Sequence, residues 1–253
     1  MLKVEPTERF SSRVEHYLRS RPSYPPGVID LLRRECGLTS DSVIADIASG
    51  TGIFTRLLLE NGNRVFGVEP NANMRRAGEE YLAAYPKFLS VAGAAEATSL
   101  PDHSVDLITS AQAGHWFDRE RARAEFQRIL KPQGFVVLLW NERRMDTAFE
   151  RDYERLIVQY GIDYEEVQRR GKRAEGSDYF APLLFGLREI PNYQDLDYPG
   201  LEGRLLSSSY IPQEGHPSFK PMLTELRRIY DAHQRNGIVR VEYDTRVFFG
   251  KLS

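Results

Sequence analysis

Asp46 stands four residues ahead of Gly50 and six ahead of Gly52, inside a short apolar run that begins at Val43. Two glycines at that spacing let a chain turn tightly and bring backbone N–H groups close to a ligand. Glu69 closes the next apolar run, Arg64 to Val68, where a carboxylate can accept from both hydroxyls of a ribose. An acid just before the glycine turn repels a pyrophosphate but suits an amino group. His115 follows a later run, Ser104 to Ser110, and an imidazole titrates near neutrality, the range a proton acceptor needs. Trp116 beside it can pack on a planar ring or close a pocket.

These residues need elements to hold them. Val43 to Ile47 reads as a buried strand, and Ile53, Phe54, Leu57 and Leu58 then recur at helical spacing until Asn61-Gly62. Strand, glycine turn, helix, strand and acid make the nucleotide-binding half of a doubly wound α/β domain. Phe88 to Ala92 predicts a third strand, Ser104 to Ser110 a fourth, and Phe135 to Trp140 a fifth that is apolar throughout and so covered on both faces. Between the last two, Ala122, Phe126, Ile129 and Leu130 mark the buried side of a helix from Arg119 to Leu130. Asn141 opens at the crevice end of the fifth strand. Residues 147–176 predict an inserted helical pair with Phe149, Tyr153, Leu156, Ile157 and Tyr160 as its apolar stripe. Its charges, Arg169, Arg170, Lys172 and Arg173 among them, form a solvated face or a polyanion contact. Val239, Val241, Tyr243 and Val247 alternate with polar residues, which predicts a half-exposed antiparallel edge strand.

The phrase Asp46-Ile47-Ala48-Ser49-Gly50-Thr51-Gly52 resembles the first motif of class I S-adenosylmethionine-dependent methyltransferases, close to D-x-G-x-G-x-G. Ala48 replaces the first glycine, a small-for-small exchange expected to matter little. The resemblance implies that Asp46, Ala48, Ser49, Gly50 and Gly52 surround the methionine part of that cofactor and that Glu69 takes the ribose hydroxyls. Pro70 follows the acid, and Met74 lies against the adenine or in the core. Gly93 to Pro101 resembles the family's G-[DS]-A-E-x-L-P loop, with two extra residues and with Ala94 in an acid's place. The backbone of Ala94 and Ala95, or the Glu96 carboxylate, must then meet the adenine amino group; Glu96 reads equally well as an exposed loop acid.

Gln112 to Asp118 looks like the Q-A-x-H-W-F-D signature of the small-molecule branch, which includes trans-aconitate and ubiquinone or menaquinone pathway methyltransferases. By that likeness Ser110, Ala111, Gln112, His115 and Trp116 reach the cofactor, with His115 a base or a packing residue. Tyr17 to Pro25 looks like the segment that crosses the cofactor mouth in such enzymes. Tyr17, Arg21 and Tyr24 are then lid residues, Arg21 able to meet a carboxylate; the alternative is a surface bend. Arg204 to Pro212 also looks like part of that branch and joins Ser209 and Tyr210 to Tyr24 and Asn141 as candidate acceptor-pocket residues. A helix end with a serine cap explains the same phrase.

Among 253 residues, 41% are hydrophobic and 28% charged, enough to bury one large core, so a single domain is expected. Residues 1–40 form lid helices, 41–141 the cofactor-binding core, 142–182 and 197–236 helical insertions forming a cap, and 183–196 and 237–253 the final strands. The expected fold is a doubly wound, Rossmann-like seven-stranded sheet with an antiparallel C-terminal edge strand. Cys36 is the single cysteine, which excludes an intrachain disulfide and a cysteine-based metal cluster, and no metal is expected. Net charge is 34 − 36 = −2, so no global field favours a nucleic acid, and a small-molecule acceptor is the expected partner. No apolar run has the length of a membrane span and none opens the chain, so a cytoplasmic protein is expected. The D/N-P-P-aromatic tetrapeptide of adenine N6 or glutamine methylation is absent. RNA or protein methylation and cofactor binding without chemistry are the rival readings. A nicotinamide oxidoreductase ranks last, because Thr55 occupies the third glycine position of the dinucleotide fingerprint.

Overall fold

The computed structural model describes residues 20–166 and 179–252. Tyr17 and the cationic run Arg169, Arg170, Lys172 and Arg173 lie outside the described residues.

Short apolar runs punctuated by turns become β1 (Val43–Ile47), β2 (Arg64–Val68), β3 (Phe88–Val91), β4 (Val105–Ala111) and β5 (Leu130–Arg143). Two longer strands follow, β6 (Phe185–Leu196) and β7 (Val239–Gly250), and all seven form one sheet in the order β3-β2-β1-β4-β5-β7-β6. The first five are parallel, while β7 runs antiparallel to both β5 and β6. Strand order reverses between β1 and β4, and open α/β sheets bind ligands at that reversal, outside the carboxyl ends of the strands.

Among the described residues, the sheet is flanked by helices α1 (Gly27–Cys36), α2 (Ile53–Glu60), α3 (Ala72–Tyr81), α4 (Arg119–Ile129), α5 (Ala148–Tyr160), α6 (Tyr198–Leu206) and α7 (Phe219–His233). Strand side chains alternate between faces, so each strand serves two cores. Ile44, Leu107, Val137 and Val247 pack on Val28 and Leu32 of α1 and Phe54 and Leu58 of α2. Ala45, Ile108, Val136 and Leu138 pack on Ala122, Phe126 and Ile129 of α4. A third core joins Tyr153, Leu156 and Ile157 of α5 to Leu201 and Leu205 of α6, Leu226 and Ile229 of α7, and Val241 and Tyr243 of β7. It caps the amino-terminal half of β7.

The doubly wound, seven-stranded fold is as expected. One detail differs: β7 lies between β5 and β6, and β6 is the outer strand. Period-two alternation reports that one face is covered and the other open; it carries no information about neighbours in the sheet plane. The fifth strand also runs three residues past Trp140, to Arg143, because β7 continues to pair with it there.

Candidate functional site

The chain leaves β1 through a turn in which Ala48 (φ 55°), Gly50 (φ 58°) and Gly52 (φ 84°) are left-handed. The amide of Ser49 donates to the Val68 carbonyl at 3.2 Å and that of Gly52 to the Ser49 carbonyl at 2.9 Å, so the turn is tied to the end of β2. Helix α3 approaches closely, since a Cβ on Gly78 would sit 3.2 Å from the Gly50 carbonyl oxygen. Met74 is buried against the same turn, its terminal methyl 3.4 Å from where a Gly50 Cβ would lie. Ala48 is therefore not a neutral replacement for glycine: a left-handed residue with a Cβ costs about 1–2 kcal/mol.

Asp46 lies beneath this turn, 1% exposed. Its Oδ2 accepts from the Thr55 hydroxyl at 2.6 Å and its Oδ1 from the Thr109 hydroxyl at 2.8 Å. Burial pushes the carboxyl up to about 6, against the two threonine bonds that hold it down, and nearby Glu69 adds to the rise. Thr55, the residue that breaks the dinucleotide glycine pattern, thus has a use of its own, as does Thr109, which the register of β1 and β4 places opposite Asp46.

Glu69 follows β2 and is 7% exposed. Its Oε2 accepts from the Gly50 amide at 2.9 Å and its Oε1 from the Asn71 amide at 2.8 Å. Burial raises its pKa; the two amide bonds and the Arg75 charge oppose the rise. Arg75 also donates to the Glu69 carbonyl at 2.9 Å. Pro70 is exposed beside it. Asn71 caps α3, its Oδ1 accepting from Asn73 and Met74 at 3.0 Å each.

The loop after β3 closes on itself through paired bonds of 3.1 Å between Ala94 and Ala97. This occupies both main-chain groups of Ala94, one of the proposed adenine partners; Ala95 is buried beside it. Glu96 Oε1 accepts from the Asp118 amide at 2.7 Å, which pins the loop to the start of α4. Beyond β4, Gln112 adopts φ 62° and its amide donates to the Leu139 carbonyl at 2.9 Å. A single 3-10 turn, Gly114–Trp116, then carries His115 and Trp116, both half-buried, with ring centroids 4.7 Å apart. The Tyr179 hydroxyl donates to the Gly114 carbonyl at 2.6 Å and anchors that turn. The hydroxyls of Thr51 and Ser110 are buried without a hydrogen-bond partner among the described residues.

Residues 20–23 cross the carboxyl end of the sheet as a strap. Gln194 donates to the Ser20 carbonyl at 3.1 Å, while Asn141 and Asn192 donate to the Ser23 carbonyl at 3.2 and 2.8 Å. Arg21 donates to the Ser207 carbonyl at 2.8 Å, joining the strap to the end of α6. The Tyr24 ring is buried edge-on against Phe54, 4.9 Å between centroids, and packs with the core under the strap. Asn141 Oδ1 accepts from the Thr245 hydroxyl at 2.5 Å, and its carbonyl from Gln112 Nε2 at 3.4 Å. Ser209 and Tyr210 are half-buried, and the Tyr210 ring lies 4.7 Å from that of Tyr164. The structure therefore groups the glycine turn, Glu69, Ser110 to Gln112 and Asn141 at one end of the sheet. A hollow lined by Cys36, Leu38, Asp106 and Gly134 lies at the opposite end, away from them.

Residues 45–138 match the family model described as a methyltransferase domain. That segment holds the glycine turn, Glu69 and the His115-Trp116 turn. An uncharacterised methyltransferase of Mycobacterium tuberculosis is 38% identical over 161 residues, 64% of this chain and 62% of the relative. One from Schizosaccharomyces pombe is 32% identical over 155 residues, 61% of this chain and 59% of the relative. The chain thus spans about three fifths of the curated relatives it matches. Among solved structures, a candidate type II methyltransferase from Anaeromyxobacter dehalogenans superposes with a TM-score of 0.69 at 22% identity, covering 92% of this chain and 98% of that one. The phosphoethanolamine N-methyltransferase 2 of Haemonchus contortus, solved with S-adenosyl-L-methionine, gives 0.53 at 16% identity, over 97% of this chain and 58% of that one. At these identities the structural likeness shows the fold.

Four covered residues were not read as functional from the sequence: Thr55 and Thr109, which hold Asp46, and Arg143 and Arg204, which lie outside the cofactor set. Arg204 left a signal, for it shares the buried face of α6 with Leu201 and Leu205 at spacings of three and four. The threonines left none.

Proposed function

We propose that this chain transfers a methyl group from S-adenosylmethionine to a small-molecule acceptor. The observation that carries the reading is the Glu69 carboxylate, held at the end of β2 by the Gly50 amide at 2.9 Å, beside a left-handed glycine turn at the strand reversal. The donor set fits that cofactor. Glu69 offers acceptors for ribose hydroxyls, the buried Asp46 charge favours an amino group over a pyrophosphate, and the hydroxyls of Thr51 and Ser110 are hydrogen-bonding groups in want of partners. Met74, Ala95 and Trp116 supply apolar surface for a planar base.

When bound, the cofactor would supply a sulfonium methyl group for in-line attack by a nucleophile, with the neutral thioether as leaving group. The chain's own part is mostly positional, because a rate gain of this kind comes from holding two reactants in attack geometry. The strap at residues 20–23 excludes water from above, and Gln112 fixes the end of β4 against Asn141. We assign His115 the role of accepting a proton, where the acceptor must lose one, with packing on Trp116 as its alternative. A His115→Asn variant with wild-type turnover removes it from that role and leaves it packing on Trp116.

Calorimetric titration of S-adenosylmethionine and S-adenosylhomocysteine into wild-type protein and Glu69→Gln, with NADH as control, tests the cofactor. Micromolar binding that weakens by roughly 1.5–3 kcal/mol in the variant is expected. Tighter binding of NADH overturns the reading. A net charge of −2 argues against RNA as acceptor.

A further inference from the structure

Beyond Asn141, on the same face of β5, the structure gathers two arginines and four tyrosines that the reading above does not use. Arg204 is 6% exposed, and its guanidinium donates only to neutral groups, the Tyr243 hydroxyl at 3.1 Å and the Ser208 hydroxyl at 3.2 Å. It has no carboxylate partner among the described residues. Arg143 lies over the Tyr153 ring, 5.2 Å from its centroid, and pairs with Glu154 at 2.6 Å. The Tyr164 hydroxyl donates to the same Glu154 at 2.7 Å. Tyr153 is 2% exposed, and its hydroxyl has no hydrogen-bond partner among the described residues. The cluster thus holds two guanidinium groups, of which only Arg143 pairs with a carboxylate among the described residues, together with the unsatisfied Tyr153 hydroxyl.

A buried charge without a counter-ion is costly, and so is an unsatisfied buried hydroxyl; an anion docked on both relieves both. The field of the cluster is felt by its neighbours. Burial pushes the Tyr210 phenol up, yet Arg143 and Arg204, with the Ser208 hydrogen bond and Arg21, together hold it below its ordinary value. The position also suits a ligand of the site already described. Arg143 is two residues beyond Asn141, roughly 7 Å along the strand, and Arg21 of the strap bonds the carbonyl of Ser207, three residues after Arg204.

We propose that Arg204, Arg143 and the Tyr153 hydroxyl form an anion subsite that receives a carboxylate or phosphate group of the methyl acceptor. Calling the ligand a methyl acceptor rests on the methyl-transfer reading; the anion site itself does not. Tyrosine rings on several sides suit an acceptor whose anion is attached to a flat body.

Benzoate, phenyl phosphate and the neutral benzamide serve as probes, titrated calorimetrically into wild type, Arg204→Met and Arg204→Lys. S-adenosylhomocysteine affinity and the ligand-free thermal midpoint are measured on the same samples. At least one anion is expected to bind wild type tenfold or more tightly than benzamide, and the tighter of the two tells carboxylate from phosphate. Arg204→Met should lose that preference while Arg204→Lys keeps part of it, with the homocysteine ligand held within twofold. The midpoint of Arg204→Met should equal or exceed that of wild type, because the unbalanced charge is gone; a purely structural arginine gives a fall. Should the methionine variant fail to fold, Tyr153→Phe keeps the volume and should weaken anion binding several-fold without lowering the midpoint. Equal binding of benzamide and the anions, no saturable anion binding by wild type, or anion affinity unchanged in Arg204→Met and Tyr153→Phe each overturns the proposal. Anion binding without binding of the adenosyl ligand keeps the subsite and removes methyl transfer; the reverse removes the subsite alone.

Discussion

Asparagine in place of Asp46 takes a charge out from under the glycine turn while keeping the side chain's size. In the folded protein burial raises the Asp46 carboxyl from 3.8 to about 6. The unfolded chain releases that proton near its ordinary value. Between the two values the native state binds a proton that the unfolded state has lost, so stability falls as pH rises from about 4 to about 6. Above that range the deficit is complete and constant. The difference, 6 − 3.8, is worth about 3 kcal/mol at 1.36 kcal/mol per pH unit. Asparagine Oδ1 can still accept from Thr109, and its amide can donate to the Thr55 hydroxyl, which turns to accept. Asp46→Asn should therefore be more stable than wild type by about 1–3 kcal/mol at pH 7.5, with little or no advantage at pH 4. Urea unfolding of both proteins at constant ionic strength from pH 4 to 8 reads the difference directly. Glu69, also raised by burial, titrates in both proteins and largely cancels. Parallel stability curves across the range, or a variant weaker at pH 8, refute the claim that this buried charge is a burden. The same substitution should weaken cofactor binding, the usual exchange of stability for function at a site.

Ala48→Gly should raise stability by about 1 kcal/mol, since glycine adopts φ 55° without strain; a lowered thermal midpoint contradicts the strain assigned to this turn. Asn141→Ala removes one bond to the Ser23 carbonyl and the acceptor for Thr245. It should cost about 1–2 kcal/mol and speed hydrogen exchange in residues 20–24 more than in β1, whereas uniform acceleration would make Asn141 a general stabiliser and not a strap contact.

The first half of the fold was legible because its strands are short apolar runs separated by glycine, proline and polar turns, a pattern set by local chemistry. Asp46, Glu69 and the glycines could be named for the same reason. Their partners could not. Thr109 is 63 residues from Asp46 in sequence and meets it only when β1 pairs with β4. The left-handed conformation of Ala48 is invisible in its residue type, since alanine normally avoids that region. Tyr24 reads as a lid or pocket residue through the likeness of Tyr17 to Pro25 to a family segment, and its edge contact with Phe54, a residue 30 positions on, is not visible in that phrase. The order of β7 and β6 depends on which strand edges are satisfied, and alternation along a strand says nothing about its edges. Arg143 and Arg204 were hidden by habit: arginines are usually read as solvated, and only the positions of their apolar neighbours argue otherwise.

The insertion of β7 between β5 and β6 sets an order on assembly. Among the described residues, strand β6 pairs only with β7, and the outer edge of β5 is satisfied only by β7. During synthesis, β1 to β5 can align while the apolar stretch Phe135 to Trp140 presents an unpaired rim, and β6 has no lateral partner until residues 239–250 have emerged. Such a rim is a template for pairing with another chain. Strand β7 thus both closes the outer edge of β5 and gives β6 its pairing, and until it emerges that rim stays open to another chain.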